Sequence, residues 1–175
     1  SLAYDGLDTL YFLAPSATTN GSQYPASNLA LETPTNTYYF IKSVNEVVMD
    51  GFYSISGISP GFALQFEDDL RFMEFPSGYG TVTSDTAWAD TTFRDPAFGA
   101  FLDSARIVST RYVTSYFDAH GIVKYDSCLR QKRVEVLIDS VWIKGMITGG
   151  IWSFQNPLPI INTPNPSVDT NYIYY

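Results

Sequence analysis

The sequence is short of positive charge. Lysine occurs only at 42, 124, 132 and 144, and with six arginines it faces 18 acidic residues, for a formal net charge of −8. Affinity for a phosphate backbone comes from Lys and Arg neutralising phosphates, so this surface repels nucleic acid. Neither terminus carries a basic run of the kind that binds anionic membranes. No apolar stretch reaches the roughly 18 residues that a membrane-spanning helix needs.

Cysteine and histidine are equally scarce. Cys128 stands alone, so no intramolecular disulfide can form. A nucleophilic thiolate would need a base, and the single histidine, His120, is the one candidate; the ordinary role of such a cysteine is a small buried hydrophobe. One His and one Cys do not make a zinc site. Nucleophile elbows and glycine-rich phosphate loops are absent too, because Gly78-Tyr79-Gly80 lacks a following glycine and a helix. These absences argue against an enzyme and against a bound metal or cofactor.

What the chain has in quantity is aromatic and β-branched residues. Tyr, Phe and Trp make up 16% of 175 residues, and charged residues only 16%, well below the quarter usual in soluble domains. Such side chains suit a pleated, half-buried surface. The length suits one domain with a real core.

Local patterns place the strands. Leu10–Leu13 reads as a first strand. Residues 15–37, with Pro15, Gly21, Pro25 and Pro34 among Ser, Thr and Asn, read as a long surface loop or arm. The run 38–49 ends at Asp50-Gly51, a hairpin signal, and 52–55 begins the return. Phe62, Leu64 and Phe66 alternate with polar residues as a half-buried strand. Asp68-Asp69 interrupt it, and 70–75 resume. Residues 76–95 look like a loop holding Trp88. Asp95-Pro96 reads as a helix cap, giving one short helix near 96–104.

Further strands follow at 106–117, 122–125 and 132–138, with Asp118–Gly121 as a turn. After Ser140 the apolar phase shifts, as at a β-bulge. Gly149-Gly150 signals a two-residue hairpin that pairs Gly145 with Phe154 and buries Trp152 and Phe154 beside Ile143 and Ile147. Four prolines between 157 and 166 favour an extended path.

The fold class expected is all-β: an antiparallel β-sandwich or jelly-roll-like barrel of about eight to ten strands with extended terminal arms. Residues 1–155 form a single β-domain, and 156–175 an extended C-terminal arm. That arm carries apolar area worth burying at Ile160, Ile161, Tyr172, Ile173, Tyr174 and Tyr175.

Few constellations carry chemistry. Trp88, framed by Asp85, Asp90 and Asp95, with Tyr79 nearby, forms a candidate contact for a ligand or partner. Glu67-Asp68-Asp69 with Glu74 could hold Ca²⁺ or do glycosidic acid–base work, but lacks EF-hand spacing and reads first as a solvated acidic turn. Asn20-Gly21-Ser22 matches the N-glycosylation sequon. Together these features favour a structural subunit of an extracellular assembly: a virus or phage particle protein such as a coat, spike, tail or decoration component. Its partners would be copies of itself or other particle subunits. The alternative is a carbohydrate-binding or adhesin module that takes a host-surface glycan on exposed aromatics; a glycoside hydrolase is a distant third.

Overall fold

The computed structural model describes residues 11–55, 61–94, 102–123, 126–155 and 167–174. These build two antiparallel five-stranded sheets packed as a sandwich. The first sheet runs in chain order: β1 (Phe12–Leu13), β2 (Leu29–Glu32), β3 (Asn36–Lys42), β4 (Glu46–Ser54) and β5 (Phe62–Glu74). The second holds β6 (Val82–Phe93), β7 (Ser104–Val123), β8 (Asp126–Lys144), β9 (Ser153–Gln155) and β10 (Ser167–Tyr174). Its order is β10-β8-β7-β6, with β9 also paired to β8. Of the two expected forms, the sandwich is the one found. Among the described residues the sheets do not close into a barrel, and most strands pair with their chain neighbours, as in a meander rather than a jelly roll.

Leu31, Phe40, Met49, Leu64, Phe66 and Leu70 fill the core from the first sheet, and Ala87, Ala89, Ile107, Val113 and Val141 meet them from the second. Alanines at 87 and 89 leave room for the rings opposite. A second apolar cluster lies on the outside of the first sheet. There the segment before β2 folds back over the strands, and Tyr24 stacks on Tyr39 with ring centroids 4.0 Å apart. The expected loop at 15–37 is thus in part a covering strap, but it also contains β2 and the start of β3.

Several expected turns lie inside strands. Asp50-Gly51 is not a hairpin but the middle of β4, where Tyr39 pairs with Gly51 and Phe40 with Met49, leaving Asp50 as the extra residue of a bulge. The close approach of other groups explains the glycine. A Cβ on Gly51 would lie 2.3 Å from the Leu64 carbonyl oxygen and 2.8 Å from the Tyr24 ring. The actual β3–β4 turn is Ser43–Asn45, closed by the Ser43 N–H donating to the Glu46 carbonyl at 2.9 Å. β5 runs through Asp68-Asp69, but its ladder to β4 jumps from Gln65 to Leu70 there, so the expected interruption is an excursion within one strand.

Asp118–Gly121 likewise belongs to β7, with Asp118 at a bulge and clamped by Arg130 at 2.9 Å. The bulge expected after Ser140 is absent: β7 and β8 pair without a break from Ser104↔Lys144 to Phe117↔Gln131. The apolar residues simply change faces. Residues 76–95 are not a loop, since β6 occupies most of them. The helix expected near 96–104 falls mainly outside the described residues; Leu102 and Asp103 are not helical, and Ser104 begins β7.

At Gly149-Gly150 both glycines have positive φ, 65° and 75°. The connection is nevertheless longer than two residues, because a 3₁₀ turn at Met146–Thr148 precedes it. The Thr148 hydroxyl accepts from the Gly145 N–H at 3.0 Å and lies 2.7 Å from the Ile151 carbonyl, folding the loop on itself. Phe154 therefore pairs with Trp142 rather than with Gly145. Trp152, Phe154 and Ile147 are exposed, not buried. The C-terminal arm is corrected in its second half, where β10 is an edge strand of the chain's own second sheet. The first half, with Ile160 and Ile161, lies outside the described residues.

Candidate functional site

Sheet register decides what each side chain of the second sheet faces, since paired residues share a face and alternate along the strand. Ala87, Ala89, Ile107, Val113 and Val141 are buried, so their parity points inward. The same parity carries Arg111, Glu135 and Arg133 into the space between the sheets. Arg111 Nη1 donates to Glu135 at 2.7 Å, and Arg133 Nε lies 3.7 Å from the same carboxylate. Arg133 Nη1 also donates to the Arg71 carbonyl across the sandwich at 3.1 Å. The Arg111 guanidinium stands 4.9 Å from the Phe52 ring and that of Arg133 5.2 Å from Phe72. A cavity of about 510 Å³ opens beside these ions at the β10 edge, lined also by Asp169 and Asn171.

The opposite parity points outward, and along β8 from 133 to 138 it is the apolar one. Val134, Val136 and Ile138 of β8 lie beside Thr114, Tyr112 and Thr110 of β7. Ser84, Thr86 and Trp88 flank them on β6, while Thr170 and Val168 flank Val134 and Val136 on β10. Trp88 is 46% exposed and Val168 64%. The polarity of this sheet is thus inverted along its middle, with ion pairs towards the core and aliphatic and aromatic side chains towards solvent.

The residues singled out in the sequence separate in this frame. Trp88 and Asp90 share the outer face. Asp90 accepts from two of the three guanidinium nitrogens of Arg106 on the neighbouring strand, Nε at 2.7 Å and Nη2, and that hydrogen bonding keeps its carboxyl below the ordinary range. Asp85 points inward and accepts the Arg71 backbone N–H at 2.5 Å. Tyr79 is far along the sheet, edge-on to His120 with ring centroids 5.5 Å apart. Asp95 lies outside the described residues. Of the arm residues, Tyr172 reaches the outer face, where its ring lies 5.3 Å from the Arg130 guanidinium. Ile173 borders the inter-sheet cavity. Tyr174 pairs with Arg130 as the last residue of β10, and Tyr175 lies outside the described residues.

Cys128 pairs with Gly121 and His120 with Leu129, so these two side chains leave opposite faces of the hairpin. Asn20 accepts a hydrogen bond from Gln23 at 3.1 Å, just before a 3₁₀ turn. Glu67, Asp68 and Asp69 line a shallow cleft with Glu46 and Asp85, against Arg71. Burial, then repulsion from Asp50, Asp68 and Glu46, raises the Asp69 carboxyl above its ordinary value. Among the described residues no group of three acidic, His or Cys side chains is placed to hold a metal ion, and no helix is long and apolar enough to cross a membrane.

Sequence reasoning missed the Arg111–Glu135–Arg133 group and the outer face. The alternation at 133–138 places Val134, Val136 and Ile138 on one face, but alternation alone does not say which face meets the core. The one available signal was that Arg111 and Glu135 also alternate with apolar neighbours. Comparison with protein-family models, with curated proteins and with solved structures found no match.

Proposed function

We propose that this chain is a non-catalytic structural subunit of an extracellular assembly, with a virus or phage particle as the setting that best fits its composition. The observation that carries the reading is the inverted polarity of the second sheet. Burying aliphatic side chains is favourable by about 25 cal/mol per Å², whereas ion pairs in a core must offset a large desolvation penalty. A strand with Arg133 and Glu135 inward and Val134 and Val136 outward suits a protein whose outer face is covered by a partner. Contiguous exposed apolar patches beyond a few hundred Å² mark interaction surfaces.

Light scattering on the purified chain tests this. A mass at a multiple of 19.5 kDa, or ordered particles under the electron microscope, supports the subunit reading. A 19.5 kDa species at every concentration overturns it. Carbohydrate binding is the second reading, favoured by the half-exposed Trp88 ring. It requires a glycan-array signal that Trp88→Ala abolishes.

A further inference from the structure

We infer that the covering partner is a second copy of this chain, docked outer face to outer face through β6, β7, β8 and β10 about a two-fold axis. This rests on the subunit reading above and names its contact. Three observations select the occupant.

The first is chemistry. Val134, Val136, Ile138 and Val168 form an aliphatic stripe that is buried without needing hydrogen-bond partners, and beside it the Ser84 and Thr114 hydroxyls pair with each other at 3.2 Å. β-branched side chains on a sheet face interdigitate with a second sheet about 10 Å away.

The second is charge. Two chains of net charge −8 repel each other, so they meet most easily where that charge is absent. Across the rows from Tyr116 to Arg106 the outer face holds one carboxylate, Asp90, and two cations, Arg106 and Lys132. The carboxylates of the cleft at Glu67–Asp69 belong to the other sheet. An acidic partner of another kind has no cluster of cations here to recognise.

The third is size. Four strands at about 4.8 Å spacing and about nine residues of length give roughly 20 by 30 Å. That footprint, before side-chain relief is counted, approaches the ~800 Å² per partner of a standard stable interface. A two-fold contact makes the patch its own complement and closes without forming a filament.

The test uses the full chain and three variants. Val136→Lys combined with Tyr112→Lys puts two like charges at the centre of each face. It should convert the oligomer to lower mass and weaken association at least 100-fold, with an unchanged far-UV spectrum and with a melting temperature that matches the wild type's once both are diluted to monomer. Thr114→Cys, made together with Cys128→Ser, should be joined to its own copy by a short bis-maleimide. Val44→Cys in the same background, on the β3–β4 turn, should not. If the wild-type chain oligomerises while the lysine variant keeps its mass and Thr114→Cys stays uncoupled, the interface lies elsewhere; this inference fails and the subunit reading stands. A monomeric wild type defeats the subunit reading itself.

Discussion

Tyr39 and Tyr112 each stand in the middle of a strand and point away from the sandwich core. Tyr39 is fully buried and Tyr112 is 47% exposed. The difference lies in what the chain lays over each sheet. On the first sheet the strap before β2 brings Tyr24 onto the Tyr39 ring, while Ser27 donates to Asp50 at 2.8 Å and Thr18 shares a 2.9 Å hydrogen bond with the Tyr39 hydroxyl. The bulge at Asp50-Gly51 is the socket. Gly51 makes room for the Tyr24 ring, and the Tyr24 hydroxyl donates to the Phe52 carbonyl. Burial holds that phenol above its ordinary pKa. Among the described residues no such strap crosses the second sheet, and Trp88 and Tyr112 on its outer face are about half exposed. One outer face therefore contributes to folding, and the other is the one proposed above for association.

The largest effect should come from the inner side of the second sheet, where the inverted polarity has its cost. Glu135→Gln removes the carboxylate between Arg111 and Arg133, whose side chains are only 13% and 4% exposed. Breaking a buried ion group by removing one member costs about 3–5 kcal/mol, because the remaining charges stay buried. Urea denaturation should show that loss. A cost below about 1 kcal/mol would mean that water reaches the pair through the adjacent cavity, and the inversion would be no burden to the fold.

Tyr24→Ala and Tyr112→Ala test the two faces directly. The first deletes a buried aromatic and should cost about 3–5 kcal/mol of stability without changing association. The second should cost no more than about 0.5 kcal/mol in the monomer and show its effect in the association constant. Equal stability losses from the two would erase the distinction. Gly51→Ala comes next. It places a methyl group against the Leu64 carbonyl and the Tyr24 ring, so about 1–3 kcal/mol should be lost. Because the obstruction includes the strap, the loss should shrink when Tyr24 is already alanine, which a double-mutant cycle reads as coupling.

How far these features could be read beforehand follows from the same residues. Composition carried the all-β class, because Thr, Val, Tyr and Phe fit pleated sheets wherever they pair. Strand ends were less legible. Asp-Gly and Asp-Ala-His-Gly are turn sequences, yet both lie within strands beside bulges, since the conformations that favour Asp and Gly in turns also serve bulges. β6 is hidden because its inward parity mixes Ala87 and Ala89 with Thr83, Asp85 and Thr91, and its outward parity sets Trp88 among Ser84, Thr86, Asp90 and Thr92, so no apolar alternation shows. The site was half legible. Trp88 stood out as an isolated aromatic, but its neighbours on the face come from β7, β8 and β10, up to about 80 residues away in sequence. Which parity of β8 faces the core was beyond local pattern, because both parities are partly apolar and only the fit against the first sheet decides.

The smallest effect separates the two sheets by charge. Asp69 sits in the acidic excursion of β5 on the first sheet, outside the strands of the proposed contact. Its carboxyl is raised above 3.8, by burial first and then by Asp50, Asp68 and Glu46. A carboxylate with a raised folded pKa is a liability when ionised. The penalty is fully present above the folded pKa and disappears as the pH falls through that value towards 3.8. Asp69→Asn should therefore raise the melting temperature at pH 7 by about 1–2 °C, in keeping with a partly exposed group. That gain should vanish when the melt is repeated below pH 3.8. The self-association constant should be the same in both proteins, because the acidic excursion takes no part in the two-fold contact. A gain that persists at low pH would show that Asn packs better there for reasons other than charge. A change in association would place the acidic cleft at an interface and remove the reason for assigning folding to one outer face and assembly to the other.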